Sequence, residues 1–176
     1  MSDPKEIIES SFSTIEIAKV LLPSFIAISI AIGTILFNQR IERKRKIKNS
    51  ASESLRNFYR PLKSLMDQNG SFFKEFGPQS WSKDDNRREA DAELWERIRE
   101  NYVKRNNAKM ADIIVDKFGF SDPTDNIKKY ERLLKHIALF NEFHDSPHEK
   151  VVDFQFPKGV EIHVREVLNR VERKAE

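Results

Sequence analysis

From Val20 to Gln39 the chain holds twenty residues without a charge, and the nine that follow carry six cations, Arg40, Arg43, Lys44, Arg45, Lys46 and Lys48. Residues in a helix rise about 1.5 Å each, so the stretch from Val20 to Phe37 covers roughly 27 Å, close to the thickness of a bilayer core. A basic cluster beside such a span stays on the cytoplasmic side. The pattern predicts a transmembrane helix over residues 20–39, with Lys19 and Arg40 reaching toward the interfaces. A cleaved signal peptide has its cations ahead of the apolar run. Here Asp3, Glu6, Glu9 and Glu16 precede it, with only Lys5 and Lys19 against them. This order predicts a bacterial inner-membrane protein with residues 1–19 outside and the C-terminal domain in the cytoplasm.

A pI near 9.0 raises nucleic acid as a partner, but the charge is local. Residues 1–19 sum to −2, residues 40–48 to +5, and the other 128 residues balance 23 basic against 23 acidic side chains. A neutral soluble part offers duplex nucleic acid no face of phosphate contacts, so that partner is not expected. The 40–48 cluster suits anionic headgroups, or serves only to orient the span. The absence of cysteine excludes disulfides, thiolate metal sites and a cysteine nucleophile.

Within the span, Ala27 with Ala31 and Ser29 with Gly33 repeat small residues at a spacing of four, which lets membrane helices approach closely. Homo-oligomerisation is one reading; the ordinary abundance of small residues in such helices is the other. Pro23 is expected to start or kink the helix after a short interfacial piece carrying Ile7, Ile8 and Phe12. Beyond the cations, Ala51, Leu55, Phe58, Leu62 and Leu65 recur at three and four, predicting a juxtamembrane stalk helix over residues 40–69. Pro61 removes the bond to the Asn57 carbonyl, so a bend is expected there.

Residues 70–176 read as a small cytoplasmic helical bundle. Gly70, Gly77 and Pro78 punctuate the chain, and Gln79 to Arg88 is a polar loop. Ser82 with Asp85 is expected to cap a helix burying Leu94, Trp95, Ile98 and Tyr102. After Asn106 and Asn107 a second stripe, Met110, Ile113, Ile114 and Phe118, ends at Gly119, a candidate left-handed cap. Asp122, Pro123 and Thr124 open a third helix with Ile127, Tyr130, Leu133, Leu134, Ile137 and Phe140 or Asn141 on its apolar side. Val151 to Phe156 alternate enough for a short extended segment, and a last helix from about Gly159 presents Val160, Val164, Val167 or Leu168, and Val171. No strand–helix alternation occurs, so the fold class is all-α: a membrane helix, a stalk and a bundle.

Three segments, Asn57–Met66 (NFYRPLKSLM), Tyr130–Phe143 (YERLLKHIALFNEF) and Phe156–Glu161 (FPKGVE), resemble a loose set of uncharacterised small bacterial single-pass membrane proteins. Those proteins share a phenylalanine-tyrosine-x-proline-leucine element and a helix carrying a histidine. The resemblance implies the architecture and no particular activity.

Catalytic signatures are missing. His144, Asp145, His148 and Glu149 suggest a metal site, but Pro147 breaks the face that a helical HExxH site needs, and no metal is expected. His136 beside the third helix's stripe reads as a packing residue, and Arg132 lies too close to it for the arginine–histidine pattern of helical RNases. There is no phosphate loop and no serine elbow, and five glycines leave little material for either. The chain is expected to be non-enzymatic and without cofactor. One cluster could hold an anionic small molecule such as a nucleotide: Tyr102, Lys104, Arg105, Asn106, Asn107 and Lys109 combine a stacking ring, cations and amides. The bland alternative is a solvated helix end.

Two functions fit these features. One is a sensor or effector whose cytoplasmic domain binds a ligand or protein partner and acts through oligomerised membrane helices on permeability, a design used in bacterial antiviral defence. The other is a membrane-tethered scaffold or accessory subunit with no activity of its own.

Overall fold

The computed structural model describes residues 4–143 and 156–176, and all the regular structure among them is helical. Helix α1 spans Pro4–Ser54 and runs unbroken through Pro23, so the separate interfacial piece expected before that proline is part of the same helix. The ring removes one backbone bond, and a helix of 51 residues absorbs that loss. The chain divides into two compact units, Met1–Lys46 and Ile47–Glu176.

In the first unit the large apolar side chains from Phe25 to Phe37 are each 52–66% exposed. This is one helix long and apolar enough to cross a membrane, near the N-terminus.

In the second unit the end of α1 passes through a wide π turn, Leu55–Tyr59, into α2, Arg60–Phe76. The Arg60 N–H reaches the Leu55 carbonyl, five residues back. Widening the turn just before Pro61 relieves the clash its ring would make with the carbonyl four residues back, which answers the expected bend without breaking the helix. The extra residue also turns neighbours Phe58 and Tyr59 inward together, both fully buried. With Ala51, Leu55, Leu62 and Met66 they make this stretch, anticipated as the far half of a stalk, the central rod of the bundle. The Phe58 ring meets Tyr59, Tyr130 and Phe118 edge-on at 5.0, 5.6 and 5.8 Å. Helix α2 continues through Gly70 and stops at Gly77, where a Cβ would collide with the Phe73 carbonyl.

Helix α3, Asp85–Ile98, is capped by Asp84, whose carboxylate accepts the Arg87 N–H, rather than by Ser82. Ser82 instead accepts the Asp84 N–H, one step outside the cap. A second π turn, Arg99–Val103, leads into α4, Lys104–Lys117, so the helix runs straight through Asn106 and Asn107. This turn corrects the expected stripe. Of that stripe Trp95 is buried and Ile98 half-buried, while Leu94 is exposed; after the added residue the inward face falls on Arg99 and Val103 in place of Tyr102, which is exposed. Helix α4 ends in a 3-10 turn, Phe118–Phe120, and Gly119 has no positive φ, so the anticipated left-handed cap is not used.

Helix α5, Lys128–Phe143, begins later than expected because Asp122 to Ile127 form turns. Its buried apolar residues are Tyr130, Leu133 and Ile137, while Ile127 remains 43% exposed. Helix α6, Lys158–Ala175, buries Val160, Val164, Val167 and Val171. The metal reading of His144–Glu149 and most of the extended segment lie outside the described residues.

Candidate functional site

The second unit carries a charged cluster in its interior, assembled from the π turn after α1, the turns before α5, and α5 and α6. The Asp125 side chain is fully buried. An ion so placed costs several kcal/mol unless donors replace its water. Four do. Tyr59 and Tyr130 each donate an O–H to Oδ2 at 2.7 Å. His163 Nε2 and the Asn126 N–H meet Oδ1, both at 2.7 Å. Burial alone would raise this carboxyl's pKa, but the hydrogen bonds from Tyr59, Tyr130 and His163 outweigh it and hold the pKa below the ordinary value. Both phenols move the other way: burial first, then the bond to Asp125, push their pKa values far up, so they stay protonated.

Asp122 sits beside it. Its Oδ1 accepts the Thr124 N–H at 2.9 Å and hydroxyl at 2.5 Å, and its Oδ2 accepts Lys174 Nζ at 2.5 Å. Burial opposes ionisation here too, yet the bonds from Lys174 and Thr124 lower its pKa to about 2. The Asp122 N–H donates to the Tyr59 hydroxyl at 3.0 Å, which joins the two carboxylates into one network.

The lone pairs on Asp125 are fully used, and neither raised phenol serves as a base near neutrality. The arrangement therefore holds elements together: it fastens α6 and the turns before α5 to the helix that leaves the first unit. Sequence reading missed Tyr59 except as part of the quoted Asn57–Met66 segment, and missed Asp125, His163 and Lys174 altogether. Their one signal is that His163 and Lys174 border the valine stripe of α6.

The six residues proposed for an anionic ligand do not face one place. The amides of Asn106 and Asn107 are buried against α2. Asn69 donates to Asn107 at 2.9 Å, and Asn106 donates to Asn69 at 3.0 Å. These amides cross-link two helices, which corrects the reading of them as ligand donors. Lys104 pairs with Glu100 at 2.6 Å. Tyr102 is 56% exposed with its ring 5.5 Å from Phe72, Arg105 is exposed, and Lys109 borders an open α2–α4 groove of about 440 Å³. Tyr102, Arg105 and Lys109 thus remain available at the surface.

The other sequence candidates are at the surface or packed. Ala27, Ser29, Ala31 and Gly33 are exposed, and Ser29 satisfies its hydroxyl on the Phe25 carbonyl of its own helix. Arg40, Arg43, Lys44, Arg45, Lys46 and Lys48 are exposed, with Lys48 Nζ donating to the Glu176 carbonyl at 2.8 Å. His136 is buried, its ring 5.4 Å from Phe156. Among the described residues no group of three or more histidine, aspartate or glutamate side chains is disposed to hold a metal.

No protein-family model, curated protein or solved structure matches this chain.

Proposed function

We propose that the chain is a single-pass inner-membrane sensor or effector. Its N-terminus lies outside, its helical domain lies in the cytoplasm, and a ligand or partner that repacks the domain acts on the membrane helices to alter permeability. The observation that carries the membrane reading is the run from Phe25 to Phe37. Large apolar side chains point to every side with no protein over them, at a cost in water of about 25 cal/mol per Å² that only lipid or another helix removes. The charge order, acidic before and basic after, supports the orientation.

The interior network supports the coupling. Tyr59, five residues beyond the end of α1, is bonded to the turns before α5, so any change in α5 or α6 bears on the base of that helix. Self-association through Ala27, Ser29, Ala31 and Gly33 would supply the membrane assembly. Tyr102, Arg105 and Lys109 offer a ring and two cations for an anionic ligand.

The cysteine-free chain permits a direct test of placement. A membrane-impermeant maleimide applied to intact cells should label Ser2→Cys, and should label Ser80→Cys only after lysis. The reverse pattern would sink the proposed topology. For the effector itself, replacing Ala27, Ala31 and Gly33 together with leucine should abolish a permeability phenotype. A chain whose span tolerates that change acts as a tether, the scaffold alternative.

A further inference from the structure

We propose that residues Arg40 to Lys46 form a cationic collar that selects anionic phospholipid headgroups; the inference rests on the membrane reading above. Several cations of the second unit have an acidic partner. Arg60 pairs with Glu172, Lys63 with Asp67, Lys104 with Glu100, Arg165 with Glu161 and Lys174 with Asp122. Arg40, Arg43, Lys44, Arg45 and Lys46 are exposed and have no ion pair among the described residues, and Glu42 is the one acid between them.

The collar's geometry identifies its partner. All five lie in unbroken helix, where each residue turns by about 100°, so the last four stand at about 300°, 40°, 140° and 240° from Arg40. Charge therefore surrounds the helix. An amphipathic helix lying on a surface, or one reading a nucleic-acid groove, gathers its cations on one side. A ring suits a helix passing upright through a layer of negative groups. The ring begins three residues after Phe37 and ends nine after it, so it starts at headgroup depth when the apolar run fills the bilayer core. The chemistry recognised is the phosphodiester of phosphatidylglycerol or cardiolipin, met from all sides by guanidinium and ammonium groups.

The full-length chain reconstituted in phosphatidylcholine vesicles, probed with spin-labelled phosphatidylglycerol or spin-labelled phosphatidylcholine, tests this. The fraction of each probe immobilised at the protein gives their relative association. Phosphatidylglycerol should be favoured about fivefold, the factor that about 1 kcal/mol represents, and the preference should fall as salt is raised. It should vanish in Arg43→Gln, Lys44→Gln, Arg45→Gln, Lys46→Gln and persist in Arg43→Lys, Arg45→Lys, which keeps the charge. Equal association of both probes with the native chain would overturn the collar while leaving the membrane reading intact. A preference surviving the fourfold glutamine change, or displaced by an RNA oligonucleotide at constant ionic strength, would also overturn it. Immobilisation of neither probe would remove the membrane reading itself.

Discussion

The bundle contains two interior polar clusters of opposite character. Around Asp125 and Asp122, charged and neutral side chains from four segments converge on two carboxylates. Between α2 and α4, the amides of Asn69, Asn106 and Asn107, buried to 3–7% exposure, bond to one another and to Gln68. Both are satisfied, so neither carries the cost of an orphaned polar group. They differ in what would undo them. A neutral amide ladder fixes how two helices register and is indifferent to pH and salt, whereas the carboxylate cluster stands only while its acids are ionised.

The sharpest way to break this comparison is Asp125→Ala. It strands two phenols and an imidazole in the interior and should lower stability by about 3–5 kcal/mol, read by chemical denaturation of the full chain in detergent micelles. A loss under about 1 kcal/mol would mean the cluster contributes little to the fold. Acid comes next. The folded-state pKa of Asp122, about 2, lies below the ordinary 3.8. Its contribution of about 2 kcal/mol is thus complete above about pH 4 and disappears as pH falls through about 2. The denaturation midpoint should drop over that window. Lys174→Met should flatten the drop, whereas Asn107→Ala should leave it unchanged. On its own, Asn107→Ala removes the acceptor for the Asn69 amide and should cost about 1–2 kcal/mol at every pH. A pH-dependent cost would contradict the neutral assignment. The smallest effect should come from Arg165→Ala, which breaks the half-exposed pair with Glu161 and should cost under about 0.5 kcal/mol.

The same contrast explains what could be read from the sequence. The span, its basic flank and the stripes of α4 and α6 are local patterns, and spacing alone reveals them. The α3 stripe held at Trp95 and was lost at Tyr102, because a π turn re-phases the helix at Arg99 and no residue type announces an extra residue in a turn. The amides of Asn106 and Asn107 are visible as polar, yet only their partner Asn69, 37 and 38 residues away, shows that they face inward. The carboxylate cluster was harder still, since Tyr59 and Asp125 are 66 residues apart and Lys174 is 52 from Asp122. Such pairings are products of tertiary packing, and periodicity carries no trace of them.

The Tyr59 hydroxyl has a consequence of its own. Because its oxygen already receives the Asp122 amide hydrogen, and Asp125 can only accept, the phenolic proton has one direction in which to lie. The same reasoning points the Tyr130 O–H at Asp125 and requires the His163 proton to be on Nε2. The centre of the bundle thus has a single orientation of its hydrogens, with no second arrangement of equal energy to flicker into. Those hydroxyl hydrogens should exchange with solvent slowly enough to give resolved magnetic-resonance signals of their own.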